Sequence, residues 1–244
     1  MTAVLEARPG TPTGPRRALR RRLGLFSAIT ILAASNVVSN RIWPEAYVPW
    51  NLAIAAILLI LARRSGLSWD DLGLASARLR RGLTIGGLAA GLVGVLYLLA
   101  LAVPATRSAF VDSRAAGPLG AALFAALVRI PLGTVVLEET AFRGVLPALV
   151  AGGWWRSALV SSGLFGLWHV LPSLGVAQAN AAVGAAVGGW GAVAQVGLAV
   201  LFTFAAGLLM CAWQRWSGHL VTPMLAHVAT NSLGVLLAWW LVTS

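Results

Sequence analysis

Charge is scarce in this sequence. Only 10% of its 244 residues are Asp, Glu, Lys or Arg, lysine is absent altogether, and all 18 basic residues are arginine. With 59% of residues hydrophobic, there is too little polar surface to wrap a soluble globule of this size. The single cysteine, Cys211, stands inside an apolar run, which excludes an intrachain disulfide framework and a cysteine metal knuckle. A net charge of +11 would raise the question of nucleic acid in a soluble protein. Here no soluble domain or aromatic-interleaved basic face is present to grip phosphates, so no nucleic-acid partner is expected. The arginines stand instead at the ends of apolar runs, where the positive-inside rule places them.

What the chain does have is long apolar stretches. A bilayer core needs about 20 apolar residues per helical span. Such runs lie at roughly 23–40, 47–62, 83–104, 119–150, 157–173, 192–214 and 220–242. The expectation is therefore an all-α, polytopic transmembrane helical bundle of about seven spans, with membrane lipid as its solvent. The charge-free Gly- and Ala-rich stretch 175–191 reads as a loop, a re-entrant piece or part of an eighth span. Residues 1–22, rich in Pro, Gly, Thr and Arg, read as a disordered basic tail, and 23–244 as one membrane domain. The tail, the 63–82 connector, Arg156 and Arg215 fall on alternate loops, which puts the N-terminus in the cytoplasm of a multi-pass cell-membrane protein. Within the connector, Trp69, Leu72 and Leu74 beside Asp70, Asp71 and the arginines read as a short interfacial helix or a solvated charge run.

Ionisable residues inside spans are costly, near 2.5–3.5 kcal/mol for a central charge on translocon scales, and so mark functional candidates. The 119–150 run holds Arg129, Glu138, Glu139 and Arg143. Glu139 and Arg143 are i and i+4, neighbours on one face in the favourable acid-first order, whereas Glu138 points about 100° away. Glu139 then pairs with Arg143 as structural support, and Glu138 is left for chemistry. Two of the three histidines, His169 and His227, are intramembrane, and Asn231 shares a helix face with His227 at i+4. His219 falls at a span end, where interfacial placement is expected, and Arg129 has no role in this scheme. At about 1.5 Å per residue, Glu138 and His169 each lie roughly 18 Å from the cytoplasmic end of their span, His227 roughly 10 Å and Asn231 roughly 16 Å. The four fall in one layer.

Glu138 to Arg143 matches an EExxxR pattern, Phe165 to His169 an FxxxH pattern, and His227 to Asn231 an HxxxN pattern. In that order, on separate spans, they resemble the CAAX-protease and bacteriocin-processing (CPBP, or Abi) family, with the resemblance covering roughly 119–242. What the resemblance implies is an intramembrane endopeptidase acting on a membrane-associated or lipidated peptide or protein. Glu138 with His169 would activate water, and His227 with Asn231 would hold the oxyanion. The chemistry is compatible, since peptide hydrolysis needs a base and preorganised donors. The family is often labelled metalloprotease, and Glu138, His169 and His227 could hold a divalent ion such as zinc with water in the open position; a metal-free glutamate mechanism uses the same residues. Members include prenyl-protein proteases and bacteriocin maturation or self-immunity proteins. Two readings from other classes stay open at this point: a proton-coupled transporter or channel using the same Glu and His residues as a relay, and a non-catalytic membrane scaffold.

Overall fold

The computed structural model describes residues 14–244, which fold as helices joined by short turns. Seven principal helices follow one another: α1 (Pro15–Ile42), α2 (Pro44–Arg64), α3 (Ser76–Ala102), α4 (Leu119–Leu149), α5 (Gly153–Trp168), α6 (Ala192–Ser217) and α7 (Val221–Thr243). All but α5 are by themselves long and apolar enough to cross a membrane. α5 qualifies together with the following Val170–Ala179 segment, from which it is bent by 44°. The expected all-helical, polytopic bundle is what the chain forms. Its outward faces carry large apolar side chains such as Leu88, Leu98 and Phe202, which lie 67–74% exposed and would be unstable against water but are at home against lipid.

The helices pair as α3 with α7, α5 with α6, α2 with α4, and α4 with α7. Small residues permit the closest of these approaches. A Cβ added to Gly86 of α3 would sit 2.9 Å from Leu225 Cδ1 and 3.0 Å from Thr222 Cα of α7, so only glycine lets the two backbones meet there. The most buried cluster joins α1, α2, α4 and α5 through Leu32, Leu58, Leu137, Phe142, Leu146 and Phe165, and it surrounds the polar residues of α4.

α4 departs from regular geometry twice. Its turns widen to π-helix over Ala125–Val135 and again over Thr140–Val145, leaving Val136–Glu139 as a regular segment between them. Pro131, which has no N–H to donate, lies in the first wide stretch. Such widenings recur at functional sites because they re-aim side chains within an otherwise continuous helix.

Two segments differ from the sequence reading, and a third follows one of its alternatives. α1 begins at Pro15, so Arg16 to Arg22 lie on its first turns rather than in an extended tail; the earlier part of that tail is outside the described residues. The 65–75 connector is a series of turns, neither an interfacial helix nor a freely solvated charge run. Leu67 and Leu72 are buried, Asp71 accepts from the Ser68 N–H and hydroxyl, and Gly73 O accepts from Leu220 N–H at 2.7 Å. Tertiary docking beneath the start of α7 overrides the amphipathic helix pattern. The 175–191 stretch forms short helical pieces, Val176–Ala179 and Ala181–Val187, and no eighth span. It is tied to the α3–α4 connection by Ala181 N–H to Val111 O and by Asn180 Nδ2 to Ala109 O.

Candidate active site

α4, α5 and α7 bring Glu138, Glu139, Arg143, Trp168, His227 and Asn231 together inside the bundle. The regular turn of α4 presents Glu138 and Glu139, both almost fully buried. One turn on, Arg143 places Nη1 3.3 Å from Glu139 Oε1 and its guanidinium carbon 3.9 Å from the centre of the Phe165 ring. The i,i+4 pairing read from the sequence is present, and a cation–π contact adds to it.

Glu139 has a second partner that helical spacing on α4 did not disclose. The Nδ1–H of His227, on α7, donates to Glu139 Oε1 at 2.7 Å. With Nδ1 carrying the proton, Nε2 accepts from Asn231 Nδ2 at 3.1 Å and lies 3.8 Å from Glu138 Oε2. A carboxylate behind an imidazole fixes its tautomer and orientation and favours its protonated form when a proton arrives at the far nitrogen. Glu139 therefore orients His227 as well as neutralising Arg143.

Glu138 is held from α5. The indole Nε1–H of Trp168 donates to Oε1 at 2.9 Å, and the backbone carbonyl of Trp168 accepts from Asn36 Nδ2 of α1 at 2.7 Å. Oε2 is buried without a hydrogen-bond partner among the described residues. Trp168 did not enter the sequence reading. The available signal was a tryptophan inside an apolar span rather than at its interface, because a buried indole N–H usually finds an acceptor.

His169 sits at the C-cap of α5, at the bend, half-buried. Its Nδ1–H donates to Phe165 O at 2.8 Å, leaving Nε2 as the basic nitrogen. The ring stands edge-on to Phe165 at 4.6 Å, and Phe165 is edge-on to His227 at 6.4 Å. Among the described residues no hydrogen bond or ion pair joins His169 directly to Glu138. His219 is buried in the α6–α7 turn, at the end of a span, where its Nδ1 accepts from Val221 N–H at 3.0 Å. Arg129 stacks over Tyr47 at 4.5 Å, well away from the carboxylates along α4.

The donor set does not fit a resident metal. Among the described residues no group of three or more His, Cys, Asp or Glu side chains converges as a metal-holding cluster, Glu138, His169 and His227 included.

A polytopic helical membrane protein with acid, imidazole and amide groups gathered inside its bundle is the class that fold and site define. The family model of the type II CAAX prenyl endopeptidase Rce1-like proteins matches residues 120–233, a segment that contains all three motifs. Over that segment the chain is similar to the Rce1-like proteins, consistent with the wider CPBP group and with a membrane protease. No curated protein and no solved structure matches the chain.

Proposed function

We propose that this chain hydrolyses a peptide bond of a membrane-associated or lipidated peptide or protein, using Glu138 as the base that activates water. The observation that carries this reading is the asymmetric setting of Glu138: Oε1 is held by Trp168, while Oε2 is left without a protein donor and faces His227 Nε2 at 3.8 Å. A water bound at Oε2 loses a proton to the carboxylate as its oxygen attacks the substrate carbonyl. Negative charge then develops on the carbonyl oxygen. His227, once a proton sits on Nε2 with Glu139 behind it, and the Asn231 amide are the donors that can meet it, in a buried site where such bonds are worth more than in water. The proton taken by Glu138 passes to the leaving amine as the C–N bond breaks. His169, with Nε2 free, assists the proton transfers on the water side.

The arginine-bearing loops support a cytoplasmic N-terminus, with the site opening toward the cytoplasm. The test is peptide-bond cleavage by purified protein against a panel of lipidated and unlipidated peptides, with Glu138→Gln as the inactive control and chelator with metal add-back beside it. Cleavage that survives the chelator and vanishes in Glu138→Gln is expected. Folded wild type that cleaves nothing in the panel yet moves protons or solute across liposomes would overturn this reading in favour of a relay.

A further inference from the structure

Hydrolysis consumes one water per bond, and that water must reach the buried, unpartnered face of Glu138. A polar seam runs away from that face between α2 and α4. It begins at a cavity of about 440 Å³ near the start of both helices, lined among others by Glu45, Tyr47, Phe124 and Arg129, which is room for several waters. This end lies at the opposite face of the bundle from Pro15, where α1 gives way to α2. Arg129 stacks on the Tyr47 ring, and the Tyr47 hydroxyl bonds Thr134 Oγ1 at 3.1 Å. One turn deeper, Asn51 donates from Nδ2 to Gly133 O at 2.9 Å, and Thr134 is followed one turn later by Glu138. Gly133 lets Tyr47 lie against α4, since a Cβ there would come within 2.9 Å of its ring.

Two buried atoms at the inner end lack donors. Asn51 is 1% exposed and Glu138 4%, yet Asn51 Oδ1 and Glu138 Oε2 have no hydrogen-bond partner among the described residues. Both are acceptors, on helices that pack directly against each other. Water, with two hydrogens to give, is the group that suits them. We infer that the α2–α4 seam, through Tyr47, Thr134 and Asn51, is the route by which water reaches Glu138. Arg129 and Tyr47 form its mouth, which gives Arg129 a task that the hydrolytic residues leave unassigned. The inference rests on the reading of Glu138 as the water-activating base.

The test uses full-length protein in sealed vesicles of each orientation, in a Cys211→Ala background, with single cysteines and an anionic, membrane-impermeant methanethiosulfonate that Arg129 attracts. Thr134→Cys is expected to react at least tenfold faster than the outward-facing Leu127→Cys, from the Arg129 face, and modification should lower kcat at least tenfold with KM changed less than twofold. Reaction no faster than at Leu127, or only from the opposite face, in protein that elutes like its parent, overturns the route. Asn51→Cys reads the same seam with the same two outcomes should Thr134→Cys fail to fold. Labelling does not depend on turnover, so fast labelling of a chain that cleaves no peptide would sustain the water route while removing the protease reading.

Discussion

Removing the Glu139 carboxylate should separate the two tasks that the structure assigns to it. Glu139 is 0% exposed, its partner Arg143 has a side chain 1% exposed, and their 3.3 Å contact is the ion pair the structure gives that guanidinium, whose nitrogens otherwise lack hydrogen-bond acceptors among the described residues. Glu139→Ala strands a buried cation, which costs about 3–5 kcal/mol. For a chain of 150–250 residues that corresponds to a fall in the thermal midpoint of roughly 6–20 °C. Replacing both partners with apolar residues of similar shape, Glu139→Leu with Arg143→Met, removes the stranded charge and should recover most of the loss, because buried pairs exchanged for hydrophobic packing are often neutral. Activity should not recover, since His227 Nδ1 still lacks its acceptor. Intrinsic tryptophan fluorescence during thermal unfolding in detergent reads the first quantity, and peptide cleavage by the same preparations reads the second. A double variant as unstable as the sum of its single variants, or one with restored cleavage, would refute the reasoning.

Glu138→Gln should stay folded and lose about 10²–10⁴ in kcat, the range of a positioned general base, as measured by steady-state cleavage. Adding His169→Ala to Glu138→Ala should cost little beyond either change alone, because residues acting as a unit lose most of the rate at the first removal. Reporter fusions before residue 15 and after Ser244 should report opposite sides of the membrane, as seven crossings require. His219, in the α6–α7 turn outside the spans, is held below its ordinary value by burial and accepts from Val221 N–H in its neutral form. Its folded state therefore contributes full stability above about pH 6.5 and loses it as pH falls toward the depressed value. The thermal midpoint should drop between pH 7 and 5 by more in wild type than in His219→Gln, and equal drops would remove His219 as the cause.

The spans, the three motifs and the Glu139–Arg143 pair were legible in the amino-acid sequence because each depends on spacing within one helix. Apolar length sets a crossing, and i,i+4 geometry puts an acid beside an arginine whatever the helix packs against. The contacts that define the site run between helices. Trp168 reaching Glu138, Asn36 holding Trp168, and Glu139 standing behind His227 join residues 30, 132 and 88 positions apart. No periodicity encodes them, since they depend on how far each helix is rotated and how close small residues such as Gly86 and Gly133 let the backbones come. The connector at 65–75 shows the same limit. Its amphipathic pattern favours a helix, but burial of Leu67 and Leu72 and the bond from Leu220 N–H to Gly73 O become available only once α7 is in place. Sequence determined which residues must enter the membrane and which of them share a face; rotation and close approach of neighbouring helices, set by tertiary packing, decided which acid meets which partner.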